Sequence, residues 1–266
     1  VADIATGDMA ISVTDRQLRA HAESFGAVAA EYDRARPSYP QELLDEIERL
    51  TGRPLHGADV LDVGAGTGIA TRLLHARGAR VTAVEPSAGM AAQLHAVSPE
   101  IPLVKGDGND LPFHDATVDL VSYAQAFHWT DPERSIPEAI RVLRPGGALA
   151  LFWNVKDRSV GWLGAQERRL AAALPSYHYY GAMNVVAEPL SRHPLDVATS
   201  LLRWERRITV DDVITDLRSK SYFAVLDAER REPVLAAERQ ALLADFPDGW
   251  VTEPYDLDLT VAVKRG

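Results

Sequence analysis

The chain has 266 residues, 46% of them hydrophobic and 25% charged, the balance of an ordinary globular protein large enough for one α/β domain with an insertion or for two small domains. A formal net charge of -10 disfavours a nucleic-acid partner, whose backbone is gripped by clustered lysine and arginine, and favours a small-molecule substrate. The lack of cysteine excludes disulfides and thiolate metal ligands, and no uncharged apolar run approaches the roughly 18 residues of a membrane span.

The first residues, with Asp3 and Asp8, lack a secretory layout, so the expectation is a soluble, cytoplasmic protein with no membrane partner, acting as monomer or homodimer. Residues 1–14 carry no periodicity long enough to define an element. From Asp15 to Arg36, Leu18, Ala22, Phe25, Val28, Ala29 and Tyr32 recur at intervals of three and four, which predicts a helix ended by Arg36-Pro37. Gln41 to Leu50 predicts a short amphipathic helix with Leu43, Leu44, Ile47 and Leu50 on one face. Strands are then expected at 58–63, 79–84, 101–105, 118–124 and 148–153, with helices near 67–77, 87–96 and 132–143. Strands alternating with helices imply a parallel sheet covered on both faces. Ligands of such sheets sit at the carboxyl ends of the strands, near the topological switch point.

The first of these strands stops in three glycines at alternate positions, Gly64, Gly66 and Gly68. Glycine accepts positive φ and, lacking Cβ, lets a ligand lie against the backbone. No Gly-Lys-Ser/Thr follows, which excludes a P-loop, and the spacing differs from the G-x-G-x-x-G of dinucleotide binding. Glu85 ends the second strand about twenty residues after Asp62, where a carboxylate can accept from both ribose hydroxyls. Beyond Trp153 the pattern changes. Residues 156–195 cluster the aromatics Trp162, Tyr177, His178, Tyr179 and Tyr180, which suit either a small core or the walls of a substrate path. Helices are expected at 160–174, 211–226 and 231–246 and a strand at 197–208; the alternating Tyr255, Leu257, Leu259, Val261 and Val263 predict a closing strand with one apolar face. The organisation expected is a core over 1–155, a cap over 156–195 and a closing segment over 196–266.

Five stretches in order resemble the motifs of class I S-adenosylmethionine-dependent methyltransferases. They are Asp62-Val63-Gly64-Ala65-Gly66-Thr67-Gly68, Glu85-Pro86-Ser87-Ala88-Gly89-Met90, Gly106-Asp107-Gly108 with Leu111-Pro112-Phe113, the run from Asp119 to Trp129, and Leu143-Arg144-Pro145-Gly146-Gly147. The resemblance covers residues 25–155 well and the remainder in general layout. It implies an α/β fold with a Rossmann-like, mostly parallel seven-stranded sheet, helices on both faces, an antiparallel last strand and a helical cap inserted after the fifth strand. It also implies S-adenosylmethionine as cofactor, seated by Tyr32, Arg36, Asp62, Gly64, Ala65, Gly66, Gly68, Glu85, Pro86, Met90, Asp107, Gly108 and Gln125. Within that seat Arg36 could pair with the methionine carboxylate, and Asp107 would accept from the adenine amino group while Gly108 leaves room for the ring. Asp62 is read as a support for the loop more than as a direct ligand.

Methyl transfer from a sulfonium releases a neutral thioether, so the enzyme supplies mainly proximity, orientation and exclusion of water. Where the nucleophile carries a proton, His128, beside the expected methyl position, is the candidate base, because an ordinary imidazole titrates near neutrality. Phe127 and Trp129 could offer aromatic faces, with core packing an equal reading for Phe127, and Trp162, Tyr177 and Tyr179 could line the substrate path. No carboxylate pattern of an octahedral metal site is present, so no metal is expected. The acceptor expected is an oxygen or carbon nucleophile of a small metabolite or natural product, with nitrogen less favoured. The rival readings are a nicotinamide oxidoreductase on a similar core and a cofactor-binding protein without turnover.

Overall fold

A computed structural model describes residues 33, 36–174, 186–224 and 226–265. Seven strands, β1 Asp59–Val63, β2 Arg80–Val84, β3 Leu103–Val104, β4 Val118–Ala124, β5 Leu143–Lys156, β6 Leu195–Thr209 and β7 Trp250–Lys264, form one sheet in the order β3-β2-β1-β4-β5-β7-β6. The first five are mutually parallel, and β7 runs antiparallel to both β5 and β6. The described helices are α1 Gln41–Thr51, α2 Ile69–Ala76, α3 Ala88–Val97, α4 Pro132–Val142, α5 Gly161–Ala173, α6 Ala187–Ser191, α7 Val210–Arg218, α8 Ser221–Ala224 and α9 Ala228–Asp245. Among the described residues no helix is long and apolar enough to cross a membrane.

Successive strand side chains point to opposite faces, and both faces are covered, which is why the central strands read as nearly continuous apolar runs. On one face Leu61, Val63, Val121, Leu149 and Leu151 pack with Ile136, Ala139 and Val142 of α4. On the other, Val60, Leu120, Ala148, Ala150 and Phe152 meet Leu43, Leu44 and Ile47 of α1 and Ala70 and Leu74 of α2. Burying each of these leucines fully contributes about 1.5–3 kcal/mol. A separate core joins Leu170 of α5 to Val213 and Leu217 of α7, Phe223 of α8 and Leu235 and Leu242 of α9, so helices from both sides of β6 share one interior.

Several boundaries differ from those expected. The strand at 101–105 shortens to two residues, because Ile101 leaves the ladder to pack with Ala83 and Leu94 and Pro102 has a carbonyl but no N–H to give the ladder. The strand expected at 148–153 lengthens to 143–156 because β7 pairs with it as far as Lys156, opposite Tyr255. The helix expected at 211–226 breaks into α7 and α8: Ser219 Oγ donates to the Asp216 carbonyl at 2.7 Å, closing the last turn of α7. The helix expected at 231–246 starts earlier, at Ala228, where Asp227 accepts from the Arg230 amide at 2.9 Å as its cap. Most of the helix expected from Asp15 to Arg36 lies outside the described residues.

Strand order places the topological switch point between β1 and β4, since the chain moves outward from β1 to β3 and returns on β1's other side. The loops after β1 and β4 therefore meet at one crevice.

Candidate functional site

Gly64, Gly66 and Gly68 adopt φ of +68°, +58° and +88°, in the left-handed region open mainly to glycine, and the three have different neighbours. A Cβ on Gly64 would lie 2.6 Å from the Ala126 Cβ, so the glycine loop and the loop after β4 touch at the switch point. A Cβ on Gly68 would meet Leu94 Cγ at 2.9 Å, where α3 packs. A Cβ on Gly66 would meet nothing within 4 Å, so this glycine faces the open space a ligand needs. The amides of Gly64 and Ala65 both donate to the Val84 carbonyl, at 2.8 and 3.2 Å, and bind the loop to the end of β2.

Glu85 follows β2 and is buried. One carboxylate oxygen accepts from the Gly66 amide and the other from the Ser87 amide, each at 2.8 Å. Burial pushes its carboxyl up, against the pull of those two amides. A carboxylate oxygen has two lone-pair sites, so each retains capacity for a ribose hydroxyl while the amides fix the group's direction.

Asp62 lies beneath the loop, fully buried. Thr71 Oγ1 of α2 donates to one of its oxygens at 2.6 Å and Ser122 Oγ of β4 to the other at 2.8 Å. The three residues brace β1, α2 and β4, and burial pushes the Asp62 carboxyl up to about 6. Arg72 was not singled out by sequence reasoning, yet it donates to the Thr67 carbonyl and to Asp33, both at 2.7 Å, joining the segment before Arg36 to the glycine loop. Met90 is buried on α3, whose cap is Ser87, and Pro86 is exposed.

Asp107 is exposed beyond β3, with one oxygen accepting from the Asn109 amide at 2.7 Å. Gly108 is required for packing. A Cβ there would stand 2.4 Å from Tyr123 Oη and 3.0 Å from Thr130 Cγ2, so the missing side chain lets this loop pack on β4. Gln125, at the end of β4, has φ +53°. A non-glycine residue in that region is held there at a cost by its surroundings, a mark common at functional sites.

The 3₁₀ turn Phe127–Trp129 follows. Phe127 is core, its ring edge-on to Tyr123 at 5.2 Å. His128 and Trp129 are half-buried, with ring centroids 4.7 Å apart. Trp153 of β5 donates its indole N–H to His128 Nδ1 at 3.5 Å, which puts the imidazole proton on Nε2. Burial pushes the His128 pKa down to about 4, well below the near-neutral value a base there was expected to have.

Trp162 of α5 packs in the helical core, edge-on to Phe246 at 5.8 Å, and donates to the Thr252 carbonyl at 3.3 Å. Arg36 Nε stands 3.7 Å from Asp216 Oδ1. Tyr32, Tyr177 and Tyr179 lie outside the described residues. Of the residues sequence reasoning missed, Ser122 left a signal, a hydroxyl amid the apolar Leu120, Val121 and Tyr123; Thr71 and Arg72 left none.

The open face at Gly66, the oriented Glu85 and the exposed Asp107 at the ends of successive strands fit a nucleoside-bearing ligand. Comparison with known proteins agrees. Residues 61–151 match the profile of a methyltransferase domain. The chain is 36% identical to an uncharacterized methyltransferase of Mycobacterium tuberculosis over 84% of its own length and 87% of that protein's. It is 29% identical to a malonyl-[acyl-carrier protein] O-methyltransferase of Pectobacterium atrosepticum, over 92% and 95% respectively. A solved structure from Anaeromyxobacter dehalogenans, provisionally assigned as a type II methyltransferase, superposes with a TM-score of 0.65 at 26% identity, covering 86% of this chain and 97% of that one. Motifs, strand order and relatives together place this chain in the class I S-adenosylmethionine-dependent methyltransferases.

Proposed function

We propose that the enzyme methylates an oxygen or carbon nucleophile that reaches the site already ionised, a carboxylate oxygen of a small molecule being the favoured case. The observation that carries this reading is His128, whose imidazole is held near pKa 4 with Nδ1 accepting from Trp153. So weak a base does not remove a proton from an alcohol or an ammonium group, whereas a carboxylate or an enolate has none to lose. When bound, the cofactor supplies a methyl group on a positively charged sulfur. The acceptor oxygen's electron pair forms the new C–O bond as the C–S bond breaks, and no proton moves.

This chain's residues hold and orient. The face at Gly66, together with Glu85, Asp107 and Met90, seats the cofactor; Asp62 braces the loop from beneath rather than touching the ligand. Gln125 and Ala126 bring the turn after β4 against that loop. There His128 Nε2–H directs the acceptor, and Trp129 presents an aromatic face toward the sulfonium. On this reading Phe127 and Trp162, whose rings lie edge-on to Tyr123 and Phe246, serve packing rather than the acceptor. The relative named as a malonyl-[acyl-carrier protein] O-methyltransferase supports oxygen as the methylated atom, and the net charge of -10 supports a small acceptor over nucleic acid. A cytoplasmic setting is kept as part of the same proposal.

The test is a screen of carboxylic acids, alcohols and amines with methyl-labelled cofactor, followed by treatment of the products with base. A carboxyl methyl ester releases volatile labelled methanol; ethers and N-methyl products do not. Label transferred only to amines or alcohols would contradict the reading.

A further inference from the structure

The two edges of the sheet are finished differently. At one, β3 is only two residues long. At the other, β6 runs from Leu195 to Thr209 and pairs with β7 in unbroken register over all 15 residues. Among the described residues no backbone group pairs with its outer side. Unpaired N–H and C=O groups on an edge recruit strands from other chains, so natural edges are shortened, bulged or studded with lysine and proline. β6 is long, has no bulge, and holds no proline, glycine or lysine.

The two faces of β6 also differ. Leu202 and Trp204 point to the side covered by α1 and pack in its core. The opposite face is open: Val197, Thr199, Leu201, Arg203, Glu205 and Arg207 are all exposed, Leu201 by 54%. Trp250 of β7, opposite Thr209, is exposed too, and the Arg207 guanidinium lies 4.7 Å from its ring centroid. Val197, Leu201 and Trp250 are three of the four large apolar side chains exposed among the described residues. Apolar surface gathered in this way marks an interaction site. The charges on this face, Arg203, Glu205 and Arg207, alternate in sign. Arg203 reaches Asp256 at 3.3 Å and keeps 81% of its side chain exposed, while Glu205 has no side-chain partner among the described residues.

That alternation makes the edge complementary to itself. Two copies of β6 paired antiparallel are related by a two-fold axis perpendicular to the sheet, so the residue on the axis fixes every other pairing. With Trp204 on the axis, each Arg203 stands opposite Glu205 of the second copy, and each Leu201 opposite the Arg207 that covers Trp250. Arg203, Glu205, Arg206 or Arg207 on the axis would set like charges face to face. Leu201 or Leu202 there would leave Arg203 and Glu205 opposite uncharged side chains. In the Trp204 register residues 199–209 pair, giving about ten backbone hydrogen bonds, as many as a standard interface carries. Exposed ion pairs contribute little by themselves; the backbone bonds and the covered apolar surface hold the contact, and the Arg203–Glu205 pairs select its register.

We propose that the free edge of β6 binds a second copy of this chain, antiparallel and with Trp204 on the two-fold axis, so that two seven-stranded sheets become one. The glycine loop follows β1, which β4, β5 and β7 separate from β6, so both crevices stay open and the proposal does not depend on the methyl-transfer reading.

The experiment is analytical ultracentrifugation of the full chain between about 1 and 100 µM, where mass action shifts a dimer equilibrium, with hydrogen exchange on the same samples. The expected result is a mass that rises with concentration to twice the 29.1 kDa of one chain, while amides of residues 199–209 slow as the dimer forms. Glu205→Arg and Arg203→Glu each set like charges opposite one another and should weaken the dimer about tenfold or more. An equimolar mixture of the two variants, in which every Arg meets a Glu across the axis, should dimerise as wild type does. A wild-type chain that keeps the mass of one chain throughout overturns the proposal. So does a wild-type dimer whose 199–209 amides exchange as fast as in the monomer, since its contact lies elsewhere; this arm decides even if a variant fails to fold. Folded variants that dimerise as wild type, or a mixture no tighter than either variant alone, reject the register and with it the proposal.

Discussion

Trp153 places its indole N–H on Nδ1 of His128, 3.5 Å away, and so decides which imidazole nitrogen carries the proton. With the pKa pushed down to about 4, the ring is neutral throughout the range in which most enzymes are assayed. The pH profile of kcat/KM should show no limb near 6.5 from this residue. His128→Ala should lower kcat/KM on the order of 10- to 100-fold by loss of orientation, with part of the loss recovered in His128→Gln, which restores an N–H donor. A wild-type acid limb near 6.5 that vanishes in His128→Ala would restore the base assignment.

Asp62 holds two buried hydroxyls, and its loss leaves Thr71 and Ser122 without the partner they point at. Asp62→Ala should destabilise the fold by about 1–3 kcal/mol, the cost of buried polar groups left unsatisfied. Asp62→Asn, which keeps an acceptor and adds a donor, should cost less. Urea denaturation with an unchanged midpoint for Asp62→Ala would show that the brace contributes nothing.

The same two residues set opposing pH dependences. His128 has its folded pKa depressed to about 4 from 6.5, so the contribution of its buried neutral form is present above 6.5 and is lost as pH falls toward 4. Asp62 has its folded pKa raised from 3.8 to about 6, so its contribution is present below 3.8 and is lost as pH rises through 6. Between pH 4 and 6 the slopes oppose. Removing the carboxyl in Asp62→Asn should make stability fall more steeply on acidification than in wild type. A shallower fall, followed by denaturation across that range, would reverse the sign.

The three loop glycines should respond differently to a side chain. Gly64→Ala drives a Cβ to 2.6 Å from Ala126 at positive φ, so it should destabilise the fold by about 1–3 kcal/mol. Gly66→Val meets open space, so the sheet should persist at the modest cost of its φ while cofactor binding is lost, because the side chain occupies the ligand's place. Circular dichroism and calorimetry separate the two outcomes. Retained binding by Gly66→Val would move the seat elsewhere.

Much of this site is local in sequence and was therefore legible. Apolar runs ending in glycine, an acid or glutamine marked β1, β2 and β4, and Glu85, Gly66 and Gln125 each stand at or just beyond a strand end. The parts that were not legible depend on distant partners. The vacancy at Gly108 is filled by Tyr123, a residue of β4 that periodicity marks only as core. The length of β5 is set by β7, about a hundred residues later, and the tautomer of His128 by Trp153, 25 residues later on the next strand. Arg36, Lys156, Arg206 and Lys220 come from four separate segments, and only the packing of the sheet end against the helical part brings them to Asp216 and Glu253.

We infer that the loop at Gly64, Gly66 and Gly68, with Glu85 oriented by the Gly66 and Ser87 amides, seats S-adenosylmethionine. Calorimetric titration of the cofactor into wild type and into Glu85→Ala tests it most directly. The expected result is one site per chain, with affinity reduced by about 1–3 kcal/mol in Glu85→Ala, the cost of leaving ribose hydroxyls and loop amides without their acceptor. Equal affinity of the folded Glu85→Ala variant and wild type, or binding of a nicotinamide dinucleotide in place of S-adenosylmethionine, would contradict it.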